Sequence, residues 1–191
     1  MTNGKTDFKV VHFRSGSLDR LQHSLPPTPD IPRMSALFSP ISLREQKLPN
    51  RIMVAPMCQY SADDGAANDW HFTHINNLSL SGAAIFCIEA THVEATGRIT
   101  PGCLGHYNDA CEAALRPILA SVRKHSKAAV FMQLAHAGRK GSSARPWDGG
   151  QQIPLSQGGW QTEGPSAVPH KEGELAPREL DASGQIGRAH V

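Results

Sequence analysis

At 191 residues, 39% hydrophobic and 19% charged, the chain has the make-up of a folded globular protein and the length of one ordinary domain. Its formal net charge of +2, with no run of Lys and Arg longer than two, argues against a nucleic-acid surface, and no apolar stretch reaches the ~20 residues of a membrane span. The N-terminus lacks the pattern of a signal peptide, and Cys58, Cys87, Cys103 and Cys111 form neither a CxxC pair nor a zinc framework, so reduced thiols and a cytoplasmic address are expected.

Residues 1–33 are polar and aperiodic, with Pro26, Pro27, Pro29 and Pro32 close together. Such a segment cannot bury enough apolar surface to offset its ordering entropy, so a disordered or non-native extension is expected, with the start at Met34. Ile41-Ser42-Leu43 and Lys47-Leu48 flank a polar turn at Arg44-Glu45-Gln46, a hairpin pattern. Residues 51–56 read as a short buried strand. Asn68 or Asp69 caps a helix expected to reach about Ser81, with Gly82 as its stop. Residues 83–88 form a second apolar run. Asn108 or Asp109 opens a second helix with Leu115, Ile118, Leu119 and Val122 on one face, and Pro117 is expected to kink it or delay its start. Arg123, Lys124 and His125 suit a helix C-terminus, and residues 128–134 read as a third strand. A long Gly- and Pro-rich stretch follows over residues 135–176. The last six residues, 186–191, are what a common sequencing-adapter string encodes, so an adapter-derived tail is expected there.

The pattern is βαβαβ, with parallel strands implied by the crossover helices. It opens either a doubly wound sheet or a (β/α)₈ barrel. No GxGxxG follows a strand, so nothing supports a Rossmann site. A full barrel needs ~250 residues, so residues 34–185 would hold the first three βα units and the start of the fourth. Three chemistry-bearing segments fall at predicted strand ends: 55–60, 89–91 and 133–140. Barrel active sites are built at those ends, so the three converge on one face.

Leu48-Pro49-Asn50-Arg51 leading to Ala-Pro-Met-Cys-Gln-Tyr, then Glu-Ala-Thr, Gly-Arg-Ile and Gln-Leu-Ala-His-Ala-Gly-Arg-Lys, resembles the old yellow enzyme family in its bacterial, thermophilic-like branch. That resemblance implies a TIM barrel holding non-covalent FMN, reduced by NADPH or NADH, that reduces activated alkenes. It implies that Ala55, Pro56, Met57 and Cys58 pass beside the flavin, that Ala90 borders it, and that Gln133 bonds its imide edge. Physical chemistry fits these roles: a Gln amide offers a donor and an acceptor together, and a thiol near the ring donates a weak hydrogen bond without acting as a nucleophile. Tyr60 resembles the tyrosine on the substrate side. Arg139 and Lys140 are expected to be loop charges or a subunit contact, and Trp70, Trp147 and Trp160 to pack without chemistry.

The family's substrate-binding His pair (or His and Asn), its proton-donating tyrosine and its flavin-contacting arginine come from later strands, so no catalytic residue is expected among these 191. The chain alone is expected neither to retain FMN nor to turn over substrate, and the full-length protein to be a homo-oligomer. Two other readings stay open: a metal-dependent barrel hydrolase using His71, His74 and Glu89, and a non-catalytic remnant. The di-iron letters of Glu89 to His92 lack the second motif such a centre needs, and no metal is expected.

Overall fold

The computed structural model describes residues 35–184, so the expectations for residues 1–33 and 186–191 fall outside the described residues. The hairpin forms as β1 (Ile41–Leu43) and β2 (Gln46–Leu48), antiparallel, with Ile41 opposite Leu48 and Leu43 opposite Gln46. The turn is shorter than expected, because Gln46 joins the ladder and Arg44 takes the left-handed backbone, φ 50°, at the reversal. Leu48 and Ile41 then pack with Ala84, Ile85 and Ala129, so the hairpin covers the N-terminal end of the sheet described next.

Three parallel strands, β3 (Met53–Val54), β4 (Ile85–His92) and β5 (Ala129–Ala135), pair in the order β3-β4-β5. The crossovers are α1 (Asp69–Ser79) and α2 (Asp109–His125). Ile75 of α1 and Leu115, Ile118 and Val122 of α2 pack with Phe86 and Ile88 of β4 in one core. All eight residues of β4 are buried. The two outer strands differ: Met53, Phe131 and Leu134 are 46%, 42% and 53% exposed, since each lies on a strand with an unpaired edge in this sheet.

Three expectations need correction. The first strand pairs only at Met53–Val54 rather than over 51–56, and the chain from Ala55 continues without ladder bonds past Pro56, which has no N–H to give. The second strand runs from Ile85 to His92 rather than over 83–88, so Glu89 lies inside a strand instead of ending one. Hydrophobicity stops at Ile88, but pairing does not, because the polar residues beyond it are satisfied: Thr91 Oγ1 donates to Glu89 O at 2.9 Å and His92 Nδ1 lies 3.0 Å from Leu104 O. Finally, α2 starts at Asp109 and runs unbroken through Pro117. Pro117 and Ala113, whose carbonyl loses its helical partner there, both face solvent, and water can serve the freed oxygen.

The helix starts follow the expected chemistry, with Asn108 Oδ1 accepting from Cys111 N–H at 2.9 Å and Asn68 preceding α1. The long stretch after β5 is ordered by short 3-10 turns and by a parallel pair, β6 (Glu163–Gly164) with β7 (Arg178–Glu179), before a helical turn at 182–184. No helix among the described residues is long and apolar enough to cross a membrane. Because Pro117 sits exposed in a continuous helix, Pro117→Ala should raise stability by roughly 1–3 kcal/mol, read as a higher urea midpoint.

Candidate functional site

The site is organised by an irregularity in β4. Pairing passes from Ile88 opposite Met132 to Thr91 opposite Leu134, so Glu89 and Ala90 together face Gln133. Ala90 is buried and Gln133 is exposed, leaving an amide with donor and acceptor capacity at the open side of the bulge. On the other side of β4, the Cys58 thiol lies close to the backbone of Ala90. Cys58, Ala90 and Gln133 therefore form one row across the sheet. Ala55 and Met57 are exposed on the segment that leads to this row, and Pro56 is half-buried.

Burial, chiefly, pushes the Cys58 thiol up to about 11, helped by Cys103 and Glu89 and partly offset by the backbone of Ala90 and of Cys58 itself. At neutral pH it is a thiol, a weak donor rather than a nucleophile. Burial, chiefly, and the nearby Cys58 raise the ionisation of Tyr60 above the ordinary range. Its backbone is left-handed, φ 54°, which a bulky residue adopts only when surroundings impose it. Gly102 is part of that constraint: a Cβ there would stand 2.4 Å from Tyr60 O. Tyr60 lines a cavity of about 630 Å³ that also meets His136, Lys140, His170 and Lys171.

Several contributors were not legible in the sequence. Trp147, expected to pack without chemistry, does so against the Tyr60 ring, meeting it edge-on at 5.4 Å. Trp160 and Trp70 do pack, as expected, each with a hydrogen bond: Trp160 Nε1 donates to Thr96 O and Trp70 Nε1 to Gln59 Oε1. Arg98 fastens the loop after β4, donating to Ala95 O, Pro101 O and Asp64 Oδ1 while lying over the rings of Tyr107 and Trp160. Arg139 is a loop pin, its Nη2 donating to Ser166 Oγ, whereas Lys140 reaches the cavity. Glu89, expected as part of the 89–91 motif and as a candidate metal ligand, has a different contact. Its Oε2 accepts from the Gln59 backbone N–H at 2.9 Å, tying β4 to the segment that carries Cys58 and Tyr60. A lone carboxylate after a run of apolar residues was the available signal.

The metal-hydrolase reading loses its geometry. His74 stacks on Trp70, while His71 faces Glu89 directly, and the three do not converge. Among the described residues the ligand-type groups that do converge are Glu94, His136 and Glu163. His136 Nδ1 accepts from Gly138 N–H at 3.0 Å, which leaves its hydrogen on Nε2, toward Glu94 Oε2 at 3.6 Å. Glu163 is paired with Arg178. A hydrogen on the facing nitrogen and a cation on the carboxylate suit an ion-pair cluster better than a metal centre.

Comparison with known proteins identifies the family. Residues 36–181 match the model of the NADH:flavin oxidoreductase / NADH oxidase family. An NADH:flavin oxidoreductase of Gibberella zeae is 39% identical over 140 residues, covering 72% of this chain and 34% of that protein. An NADPH dehydrogenase of Listeria monocytogenes is 42% identical over 109 residues, 56% of this chain and 32% of its own length. The chain thus spans about a third of these curated relatives. Among solved structures, an old yellow enzyme homologue from Zymomonas mobilis superposes with a TM-score of 0.61 at 25% identity, covering 81% of this chain and 42% of that one. Morphinone reductase shares the fold with a TM-score of 0.64 at 24% identity, over 81% and 42% of the two chains. These neighbours are TIM barrels, which settles the choice the βαβαβ pattern left open: the sheet is the beginning of a barrel, and the chain belongs to the NADH:flavin oxidoreductase / NADH oxidase family, the old yellow enzymes.

Proposed function

We propose that these residues form the flavin face of an FMN-dependent NAD(P)H oxidoreductase that reduces the activated C=C bond of enone-like compounds. The row of Cys58, Ala90 and Gln133 across the strand ends, with Tyr60 beside it on a cavity, is the observation that carries the reading. Bound FMN would accept a hydride from the nicotinamide and deliver it to the alkene. The chain's own part is to hold and orient. Gln133 presents an amide that matches the flavin imide edge. Ala90 keeps the approach over the bulge free of side-chain bulk, and residues 55–58 flank the ring. Cys58, as a thiol, donates weakly and stays unreactive. Tyr60 holds a proton on its hydroxyl at neutral pH, so it can donate to a substrate carbonyl.

No proton donor to carbon is assigned among the described residues; in this reading it comes from later barrel strands, and the protein is a cytoplasmic homo-oligomer. The 191 residues alone are proposed to be inactive. The unpaired edges of β3 and β5 and the exposed Met53, Phe131 and Leu134 support that, since a barrel would pair and cover them.

The test is direct. The full-length protein is expected to purify with one FMN and to oxidise NADPH or NADH when cyclohexenone is supplied, while the 191-residue chain purifies without flavin. A colourless full-length protein, inert to the enone, would overturn the assignment. Gln133→Leu should weaken FMN binding by about one to two orders of magnitude, as for two lost hydrogen bonds at roughly 1 kcal/mol each or somewhat more, measured by flavin fluorescence titration. The Cys58 thiol should be alkylated by iodoacetamide at a rate that keeps climbing with pH toward about 11, instead of levelling near its ordinary 9.0, as followed by peptide mass spectrometry.

A further inference from the structure

The cavity that Tyr60 lines has a charge character with no role so far. Four basic side chains reach it, those of His136, Lys140, His170 and Lys171, and no carboxylate lines it. The neighbouring acids are engaged elsewhere. Glu94 faces His136 Nε2, Asp148 pairs with Arg145 at 2.7 Å, and Glu174 accepts from the backbone N–H of Lys171 at 3.1 Å and of Gln152 at 3.4 Å. Glu172, exposed beside Lys171, does not line the cavity. Among the described residues neither Lys140 nor Lys171 has an ion-pair partner.

Both lysines stand on turns whose backbone is tied. Lys140 ends the 3-10 turn after β5: its N–H donates to Ala137 O at 3.1 Å, and its carbonyl accepts from Ser143 Oγ at 2.9 Å. Lys171 N–H donates to Glu174 Oε2, and Glu174 N–H returns to Lys171 O at 3.2 Å. Two separate loops thus bring an ammonium each to one concavity, whose volume of about 630 Å³ falls within the about 300–1,000 Å³ of small-molecule sites. Two like charges around a concave wall repel each other until an anion enters, and the wall concentrates their field. His136 is not the donor for that anion, since its Nε2 hydrogen faces Glu94.

We propose that the acceptor this cavity takes is an enone that also carries a carboxylate, and that Lys140 and Lys171 hold that carboxylate and so set the substrate class. The ketone that activates the alkene belongs at the Tyr60 hydroxyl, on the wall of the same cavity. A carboxylate cannot replace that ketone, because its carbonyl is too electron-rich to draw a hydride to the β-carbon. The anion is therefore a second group on the acceptor, set away from the reacting alkene. Lysine suits it: each ammonium is a point charge on a flexible stem, able to meet one carboxylate from either side, and a ring N–H of His170 can add a hydrogen bond. A phosphate on the nicotinamide reductant is the other oxyanion that these charges could serve. The acceptor is favoured because the lysines share their cavity with Tyr60.

This inference deepens the reading of the flavin face above and rests on it, and its test separates the two. The full-length protein is given 3-(3-oxocyclohex-1-enyl)propanoate and its methyl ester, whose alkenes are matched because two methylenes insulate the ring from the charge. The acid should bind about tenfold more tightly by calorimetry and show a kcat/KM higher by the same factor, as for two partly exposed charge contacts. Raising the salt to about 0.5 M should narrow the ratio. In the double variant Lys140→Gln, Lys171→Gln the ratio of acid to ester should fall to near one, and Lys140→Arg, Lys171→Arg should keep it. If the double variant does not fold, Lys171→Gln alone, on its exposed turn, should lower the ratio about threefold. Equal binding of acid and ester by the parent protein, or a ratio unchanged in the Gln variants, would overturn the proposal. So would Gln variants that lose only a preference for NADPH over NADH, since the charges would then serve the phosphate of the reductant. A protein that lacks FMN and turns over neither compound, yet binds the acid with the lysine-dependent preference, defeats the flavin assignment alone.

Discussion

The extra residue that β4 carries between Ile88 and Thr91 governs what the rest of this end of the molecule can do. In a regular ladder each residue of β4 would have its own partner on β5, and side chains would alternate without interruption. Here Glu89 and Ala90 share Gln133, so the strand bends and its twist increases at that point. The bend leaves a small residue, rather than a large one, opposite the Gln133 amide. It also places the Glu89 carboxyl where it reaches the backbone of the neighbouring strand's extension. Beyond the bulge, Thr91 and His92 pair again, and His92 holds the 103–106 segment through Leu104 O and the N–H of His106. One insertion thus serves both the open row and the segment held beside His92.

A buried carboxylate is costly unless it is compensated, and Glu89 meets groups from two other segments, the backbone of Gln59 and the imidazole of His71. Gln59 N–H offers one hydrogen bond, and Nε2 of the fully buried His71 stands 3.6 Å from the other carboxyl oxygen. The same carboxyl raises the cost of ionising Cys58. The row and the carboxyl below it are therefore linked through two adjacent residues of one segment, Cys58 and Gln59.

Much of this could be read from the sequence. Apolar runs marked all three strands, and Asn68 and Asn108 marked the helix starts, because local hydrogen bonding and periodicity dictate such features. The motif segments at 55–60, 89–91 and 133 do meet on one face. What escaped was non-local. The extension of β4 past Ile88 depends on partners for Thr91 and His92 that sequence position does not reveal. Pro117 was expected to disturb α2, but the cost of its missing N–H falls on a solvent-facing turn. The pairing of Glu89 with His71 joins a strand to a helix eighteen residues earlier, and the contact of Trp147 with Tyr60 spans most of the described chain. Each is a product of tertiary packing rather than of any local pattern.

Trp147 has a further consequence. It is 64% exposed on one side, in edge contact with the Tyr60 ring on the other, and lies under the Arg145 guanidinium. An indole in that position senses water and a neighbouring phenol at once, so its emission colour and lifetime depend on whether the loop stays docked. The molecule carries its own optical gauge of that loop, at the rim of the cavity that Tyr60 lines.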